Sequence, residues 1–368
     1  MKQIITTLLS ILTAFQVCIG QSKTERLDSL LTASNDSNGF NGTVLVAEKG
    51  NIVLHSAYGF SDFDTRKRLD TNSIFNIASV TKPFTALCIL ILHDRGKLSI
   101  DDNLTMYLPK LIYEDITIRH MLNHTSGLID FSNEFEKVKH LIDITKPFGN
   151  KELIRLLEKD SPPLNFKPGE KYAYSNTAYN LLTMVVEKVT GKSFEKFLQK
   201  EIFDQVGMKS SYLGPTFARS KENTKGYRYR NGAYIQDSLG VYIKSLRGTT
   251  FEFNTQGSGG IRSTTGDLYK FDQALRNGKL VKSETLELAY TKAITNDGKE
   301  IAYGFGWRVY EDAMMKSVYH GGSVPGYEVL FRRGIKNDTN TIILLSNTTN
   351  TNANAFKILN EINAILSN

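Results

Sequence analysis

One short stretch decides how this chain folds and where its chemistry lies: Phe75-Asn76-Ile77-Ala78-Ser79-Val80-Thr81-Lys82-Pro83. Residues three apart share one face of a helix, so the spacing predicts that the side chains of Ser79 and Lys82 are neighbours. Pro83 is tolerated only near a helix start, where the amide hydrogen that proline lacks would have no partner. The stretch therefore places Ser79 at or near a helix N-terminus, where the positive end of the helix dipole favours a developing alkoxide.

Ser79 and Lys82 have the chemistry of a nucleophile and its base. A serine hydroxyl needs a base to become nucleophilic, and a lysine that is desolvated beside it serves when it is neutral. The following residues, Phe84 to Leu92, are almost entirely apolar, which predicts a helix through the centre of the protein. The pair alone is weak evidence, because a capping serine and an exposed lysine occur at this spacing on many helices.

A second polar cluster lies just before another predicted helix and reads Tyr172-Ala173-Tyr174-Ser175-Asn176. Tyr174 and Asn176 are two residues apart, so on an extended stretch they project the same way. A phenol shuttles protons once a neighbouring cation such as Lys82 lowers its pKa. The amide of Asn176 both donates and accepts, which suits holding a substrate carbonyl. The alternative is that Asn176 caps a helix starting at Thr177.

A third cluster, Tyr319-His320-Gly321-Gly322-Ser323, ends a strand-like run near the C-terminus. Two glycines let a substrate approach the backbone closely, and free amides at such a place form half of an oxyanion hole.

In this order and at these distances, the three clusters resemble the motifs of the serine β-lactamase and penicillin-binding-protein superfamily. The match is closest to its class C-type branch of β-lactamase-related esterases and D-amino-acid peptidases, and it extends from about residue 25 to the C-terminus. Further stretches carry the resemblance: Leu122-Asn123-His124-Thr125-Ser126-Gly127-Leu128, Gly259-Gly260-Ile261-Arg262-Ser263-Thr264, Tyr303-Gly304-Phe305-Gly306-Trp307 and Pro325-Gly326-Tyr327.

The resemblance implies acyl transfer through a covalent intermediate on Ser79, with Lys82 as its activating partner and Tyr174 as the proton shuttle. It implies that Asn176 contacts the substrate, and that the backbone amides of Ser79 and Ser323 form the oxyanion hole. It implies no metal and no other cofactor.

The third cluster departs from the family pattern. β-Lactamases usually carry Lys-Thr-Gly where this chain has His320, Gly321 and Gly322. A histidine is mostly neutral near pH 7, and a glycine has no hydroxyl, so recognition of an antibiotic's carboxylate should weaken. We expect these three residues to contact a substrate, and we expect an esterase, a D-amino-acid peptidase or carboxypeptidase, or a weak β-lactamase.

The hydrophobic pattern predicts an α/β chain of the α+β type, with one antiparallel sheet built from both ends and an inserted helical region. We expect the sheet part at about 25–75 and 255–368 and the helical part at about 79–250, in one domain spanning 21–368. Loop residues are predicted at 35–39. The predicted strand-like runs are Thr43–Ala47, Ile52–Leu54, Tyr303–Tyr310, Ser317–His320, Tyr327–Arg332 and Thr341–Ser346, and a final helix is predicted over Asn354–Leu366.

The first twenty residues have the anatomy of a secretory signal: one basic residue, an apolar run and small residues before a polar segment. We expect cleavage after Gly20 and a periplasmic or secreted protein with no membrane span left after cleavage. The competing interpretation is a lipid anchor on Cys18, for which Val17 is a poor preceding residue. Cleavage leaves Cys88 as the single cysteine, predicted to lie in the core.

Composition excludes other classes of function. The chain has 368 residues and a net charge of +7, but its 45 basic residues are interleaved with 38 acidic ones, so no nucleic-acid partner is indicated. His120 and His124 are spaced like zinc ligands on a helix, yet no glutamate follows His120. The function predicted is an exported serine hydrolase acting on an ester, amide or peptide. The alternative is a non-catalytic binder of cell-wall peptides or of a protein on the same fold, and the sequence leaves the oligomeric state open.

Overall fold

The computed structural model describes residues 21–143, 146–214, 224–237, 253–337, 339–349, 351 and 354–367. The predicted export signal, with Cys18, lies outside these residues. The helices are α1 Lys23–Asn38, α2 Thr81–Asp94, α3 Ile118–Leu122, α4 Phe135–Val138, α5 Asn150–Asp160, α6 Asn176–Thr190, α7 Phe194–Leu198, α8 Asp204–Val206, α9 Thr265–Arg276, α10 Ser283–Ala289 and α11 Ala355–Leu366. The strands are β1 Gly42–Glu48, β2 Asn51–Tyr58, β3 Phe60–Asp62, β4 Lys67–Arg68, β5 Phe75–Asn76, β6 Phe148–Gly149, β7 Tyr212–Leu213, β8 Tyr227–Arg230, β9 Ala233–Gln236, β10 Phe253–Asn254, β11 Ile261–Ser263, β12 Ala293–Ile294, β13 Glu300–Ile301, β14 Arg308–Glu311, β15 Lys316–Val324, β16 Tyr327–Lys336, β17 Thr341–Ser346 and β18 Thr348–Thr349.

The central sheet joins the two ends of the chain. Its order is β14-β15-β16-β17-β1-β2, and every neighbouring pair is antiparallel. The predicted fold class, an antiparallel sheet flanked by helices in a mixed α/β chain, is confirmed.

Side chains of the central strands alternate between two cores, as the two-residue period of a strand requires. On β1, Val44 and Val46 join a cluster with α1 and α11, whereas Leu45 and Ala47 point into the larger core. Because both faces of the sheet are covered, its central strands are buried on both sides.

Helix α2 crosses the larger core, as its apolar sequence predicts. Every residue from Thr81 to Leu92 is buried, and the ring of Phe84 stacks on that of Phe271 in α9 at a centroid distance of 4.0 Å. Cys88 is fully buried, and its burial raises the pKa of the thiol. The predicted core position of this cysteine is confirmed.

The structure corrects three local predictions. Helix α1 continues through the predicted loop 35–39 as far as Asn38 and ends at Gly39, whose φ of 78° is left-handed. The strand predicted over Tyr303–Tyr310 begins only at Arg308, because Gly306, with a φ of 78°, turns the backbone before it. The region predicted as helical also contains short strands, and α9 and α10 lie within the part predicted as sheet.

A small sheet, ordered β5-β11-β7, positions the stretch that contains Ser79. Asn76 pairs with Arg262, and the backbone amide of Ile77 donates to the carbonyl of Ile261 at 3.0 Å. Residues Ala78–Val80 form a 3₁₀ turn that leads directly into α2. Within the part of the chain that the structure describes, every helix is too short or too polar to span a bilayer.

Candidate active site

Ser79 lies at the start of the central helix, where the sequence places it. The preceding residue, Ala78, has a φ of 47°, a backbone conformation that residues other than glycine rarely adopt. The side chain of Asn76 accepts the backbone N–H of Ala78 at 2.9 Å and so holds this bend. Ser79 remains partly exposed while its neighbours are buried, so the bend presents its hydroxyl to solvent and to a substrate.

Lys82 is the fully buried neighbour that the spacing predicts. Its Nζ donates to Ser79 Oγ at 3.3 Å, to Asn176 Oδ1 at 2.7 Å and to the carbonyl of Ser258 at 2.9 Å. Burial lowers the pKa of Lys82 to about 7, against the opposing effect of the Asp130 carboxylate. A large fraction of the side chain is therefore a neutral amine near neutral pH.

The partners of Lys82 fix where the lone pair of the neutral amine points. The oxygens of Asn176 and Ser258 are carbonyl oxygens, which only accept hydrogen bonds. They therefore bind the two N–H groups that the neutral Lys82 amine has. The Ser79 hydroxyl both donates and accepts, so it is the one partner of the three that can give its proton to Nζ. The geometry suits a general base aimed at Ser79.

Tyr174 lies beside both groups, but its pKa is not lowered as predicted. Nζ of Lys82 lies over the phenol ring, 4.6 Å from the centroid. Burial raises the pKa of Tyr174, and a hydrogen bond with the Ser79 hydroxyl offsets only part of this rise. The prediction of a lowered pKa is wrong because the dominant effect is burial, and the cation faces the ring and is itself partly neutral. Tyr174 is thus a protonated acid near neutral pH.

The side chain of Asn176 connects Lys82 to a second polar group. Its Oδ1 accepts from Lys82, while its Nδ2 donates to Ser132 Oγ at 2.8 Å and to Asp130 Oδ2 at 3.2 Å. Contact with a substrate carbonyl stays a prediction, and a substrate would compete with Ser132 for the amide. The alternative that Asn176 caps a helix is wrong, because Ser175 caps α6 and Asn176 is its first residue.

Asp130 is the site residue that sequence reasoning missed. The carboxylate is buried, and it accepts from the backbone N–H of Asn176 at 2.9 Å as well as from its side chain. It also accepts from Ser132 Oγ at 2.7 Å and from Asn133 Nδ2 at 2.8 Å. The local signal is a turn, Asp130-Phe131-Ser132-Asn133, whose Asp and Ser side chains commonly bind the backbone. The contact with Asn176 joins residues 46 positions apart and has no local signal.

Strand β15 runs against the turn that holds Ser79. A Cβ placed on Gly322 would lie 2.8 Å from the backbone nitrogen of Ser79 and 2.9 Å from the carbonyl oxygen of Ile77. The glycine therefore permits close contact between β15 and the turn that contains Ser79. The sequence predicts instead that this glycine admits a substrate. Gly321 lies next to the ring of Phe356, and Ser323 is exposed at the end of the strand. The role of the Ser323 amide in an oxyanion hole stays a prediction.

His320 is buried, and both nitrogens of its ring have partners within the protein. Nδ1 lies 2.6 Å from the carbonyl of Gly321 and therefore carries the proton, while Nε2, 3.0 Å from Tyr303 Oη, accepts. Burial lowers the pKa of His320 to about 3. The ring is neutral, as expected, but in this structure it has no hydrogen bond to offer to a substrate.

His120 and His124 do not form a pair of ligands. Nδ1 of His120 accepts the backbone N–H of Thr117 at 3.2 Å, and Nδ1 of His124 accepts that of Ser175 at 3.0 Å. His124 follows the end of α3 and has a φ of 63°, so the helical spacing that would place both rings on one face does not apply.

Known proteins resemble the chain over nearly its whole length. A model of the Beta-lactamase family matches residues 27–365. Penicillin-binding protein 4* of Bacillus subtilis (strain 168) is 35% identical over 89% of this chain and 72% of that protein. A crystal structure of D-amino acid amidase from Ochrobactrum anthropi SV3 is similar with a TM-score of 0.75 at 22% identity, covering 94% of this chain and 99% of that one. The structure of EstCE1, a hydrolase with promiscuous acyltransferase activity, is similar with a TM-score of 0.76 at 20% identity, covering 94% and 98%.

Proposed function

This chain belongs to the beta-lactamase family of serine hydrolases, and we propose that it acts through an acyl-enzyme formed on Ser79. The observation that carries the proposal is the fully buried Lys82, whose three hydrogen-bond partners are neutral oxygens and whose pKa is lowered to about 7. A base whose pKa lies near the working pH combines a large neutral fraction with a useful affinity for the proton.

In the first step, Ser79 Oγ attacks the carbonyl carbon of the substrate while its proton passes to Lys82 Nζ. The oxyanion that forms is stabilised by the backbone amides of Ser79 and Ser323, together with the positive end of α2. As the bond to the leaving group breaks, the raised pKa of Tyr174 leaves a proton on its oxygen to give. Lys82 returns its proton to Tyr174, so acylation ends with the free leaving group and a neutral base.

In the second step, water attacks the acyl carbon. The neutral Lys82 and Tyr174 together take the proton of the water and return one to Ser79 Oγ as the ester bond breaks. The net reaction consumes one water and releases an acid, and both residues regain their starting states. Asn176 and Asp130 serve this cycle by fixing Nζ next to Oγ.

The substrate class that we propose is an ester, amide or D-amino-acid peptide rather than a good β-lactam antibiotic. A β-lactam carries a carboxylate that a cation should neutralise. His320, at the position of the usual lysine, is uncharged because burial lowers its pKa to about 3. The family match and the similarity to a penicillin-binding protein support acyl-transfer chemistry on a peptide-like carbonyl.

We further propose that residues 1–20 export the protein, leaving one hydrolase domain over 21–368 in the periplasm or outside the cell. Amino-terminal sequencing of protein secreted by the host cell tests this. A start at Gln21 is the expected result, and a lipid-modified start at Cys18 would replace the proposal with an anchored protein.

A fluorophosphonate probe tests the covalent mechanism directly. We expect one adduct on the wild-type protein, no adduct on Ser79→Ala, and the peptide containing residue 79 as the labelled one. The matched control is Ser323→Ala, which keeps its backbone amide and should be labelled normally. A folded wild-type protein that takes up no probe and turns over no ester would support the non-catalytic binding protein instead.

A panel of short-chain esters, D-amino-acid amides and peptides, and β-lactams then identifies the substrate. Turnover that disappears in Ser79→Ala assigns the class. Efficient hydrolysis of β-lactams would contradict the argument from His320.

A further inference from the structure

His124 holds both flanks of Tyr174. Its backbone carbonyl accepts the N–H of Ala173 at 2.9 Å, and its side-chain Nδ1 accepts the N–H of Ser175 at 3.0 Å. One residue thus binds the backbone immediately before and immediately after the phenol, and Tyr174 is 50 positions away along the chain.

The imidazole of His124 also packs against the phenol itself. The centroids of the His124 and Tyr174 rings are 4.3 Å apart with an interplanar angle of 39°. The rings of Tyr303 and Tyr179 also pack near the imidazole, with centroids 4.7 Å and 5.0 Å from that of His124. His124 is fully buried, so its ring is fixed by packing and in turn limits where the Tyr174 ring can lie.

The protonation state of His124 suits holding rather than proton transfer. Since Nδ1 accepts a backbone N–H, the single proton of the neutral ring is on Nε2. Nε2 is buried and has no hydrogen-bond partner among the described residues. Burial, followed by the nearby Lys82, lowers the pKa of His124 well below its ordinary value. Protonation at Nδ1 would break the bond to Ser175, and the surroundings oppose it.

The backbone of His124 is held in an uncommon conformation. Its φ of 63° lies in the left-handed region, which residues other than glycine adopt uncommonly, although histidine does so more often than most. The adjacent contacts hold this bend, because the amide of Thr125 donates to the carbonyl of His120 at 2.8 Å and the carbonyl of Thr125 accepts from Gly169 at 2.8 Å. The bend aims the carbonyl and the ring of His124 at the same short segment.

We propose that His124 is a positioning residue for proton transfer: its Nδ1 and its carbonyl fix the segment Ala173–Ser175 so that the Tyr174 hydroxyl reaches Ser79 Oγ. This inference rests on the proposed function of Ser79 and Tyr174. A displacement of about 1 Å at a reacting group costs on the order of 100-fold in rate, so a residue that fixes the phenol has a large effect without touching the substrate.

Two substitutions separate the hydrogen bond from the packing. In His124→Asn, Oδ1 replaces Nδ1 as acceptor, and asparagine tolerates the left-handed backbone. In His124→Phe, a ring of similar shape remains but the acceptor is lost. The matched control is Tyr113→Phe, which removes one buried hydrogen bond, to the carbonyl of Pro162 at 2.8 Å, away from Ser79.

The measurements are the kcat and KM of ester turnover, the melting temperature, and hydrogen–deuterium exchange at the Ser175 amide. For His124→Phe we expect kcat to fall about 100-fold, KM to stay within about threefold, and exchange at Ser175 to rise at least tenfold. For His124→Asn we expect kcat within about tenfold of wild type and protection of Ser175 retained. Tyr113→Phe should lose as much melting temperature as either variant while keeping kcat.

Three outcomes would overturn the proposal: His124→Phe with normal kcat, His124→Asn impaired as severely as His124→Phe, or unchanged exchange at Ser175 in His124→Phe. If the wild-type protein neither binds the probe nor turns over esters, the proposed function fails. The exchange at Ser175 then decides by itself whether His124 holds the segment.

Discussion

Lys82 and Arg333 are two of the cationic side chains buried among the described residues, and a contacting carboxylate distinguishes their surroundings. Lys82 is fully buried among neutral oxygens, and its pKa falls to about 7. Arg333 is equally buried, but its Nε donates to Asp272 Oδ1 at 2.6 Å and its Nη1 to Tyr290 Oη. Burial acts to lower the pKa of Arg333, yet the nearby Tyr290 and Asp272 raise it further than burial lowers it.

The pairing extends around Asp272 but not around Lys82. Asp272 also accepts from Arg276 Nε at 2.9 Å and from Thr341 Oγ1 at 2.7 Å, and the two arginines hold the pKa of its carboxyl below the ordinary value against the effect of burial. At Lys82 the carboxylate of Asp130 is one residue removed: Asp130 accepts from the amide of Asn176, whose Oδ1 accepts from Lys82. A carboxylate in direct contact keeps the buried Arg333 charged. At Lys82 the carboxylate is one residue further away, and the amine can gain and lose a proton.

Exchanging the type of cation at Lys82 should have the largest effect. Lys82→Arg places a group that stays protonated at any working pH next to Ser79, so it cannot accept the serine proton. We expect the rate of fluorophosphonate labelling to fall about 10³-fold or more. Lys82→Met, which removes the base without adding volume, should show the same loss.

The matched exchange is Arg333→Lys, in which the contacting carboxylate remains. We expect its labelling rate to stay within about threefold of wild type, since Arg333 does not contact the reacting groups. Labelling of Lys82→Arg within tenfold of wild type would show that Lys82 is not the base.

Removing the Asp272 carboxylate, the partner of Arg333, should give the next largest effect. Asp272→Ala leaves Arg333 buried and unpaired, and breaking such a pair costs about 3–5 kcal/mol. Urea denaturation should show this loss in the free energy of unfolding, while the labelling rate of the folded protein stays near that of wild type. A loss below about 1 kcal/mol would mean that the pair is not what stabilises Arg333.

The sequence predicts one part of the site around Lys82 better than the rest of it. Ser79 and Lys82 are three positions apart at a helix start, so their proximity follows from helix geometry and a proline. Asp130 and Asn176 are 46 positions apart, and His124 and Ser175 are 51 apart. Those contacts depend on how the loop after α3 packs against α6, which no local spacing encodes. The pKa of Tyr174 is likewise a property of burial, which only the folded chain has.

The sheet was predictable for the same reason as the nucleophile. Alternation on the strands and the apolar run of α2 are local patterns with fixed periods. The strand prediction is wrong before Arg308. The aromatic residues there are typical of a strand, but Gly304 and Gly306 allow a close approach to neighbouring backbone. The role expected of His320 depended on where a strand residue points, which is set by the neighbours of β15.

The unpaired cation should also reduce stability, in a pH-dependent way. The pKa of Lys82 is about 7 in the folded protein against an ordinary value of 10.5. Between these pH values the unfolded chain binds more protons than the folded protein. The contribution of Lys82 to the free energy of unfolding therefore rises with pH from about 7 to about 10.5. Lys82→Met removes the cost of burying this amine and should stabilise the protein by about 1–3 kcal/mol at pH 7.

The sign of this effect is checked by measuring unfolding at several pH values. The gain from Lys82→Met should be largest at pH 7 and below and should shrink toward pH 10. A gain that grows with pH would contradict a lowered pKa for Lys82.

The smallest effect should come from replacing Asp130, whose carboxylate contacts Lys82 only indirectly, through Asn176. Its charge raises the pKa of Lys82 against the effect of burial, so Asp130→Asn lowers that pKa further. Since the neutral form of Lys82 is the base, the acidic limb of the labelling rate should move to lower pH. The rate at its plateau should fall about tenfold, because the NH2 of the new amide must replace one of two oxygens that both accept hydrogen bonds. Oδ2 accepts from the backbone and the side chain of Asn176, and Oδ1 accepts from the backbone amides of Ser132 and Asn133. Ser132→Ala is the control: it removes one partner of the Asn176 amide without a change of charge, so the acidic limb should stay in place. A limb that moves equally in both variants would mean that Asp130 acts only by holding Asn176, and that its charge does not reach Lys82.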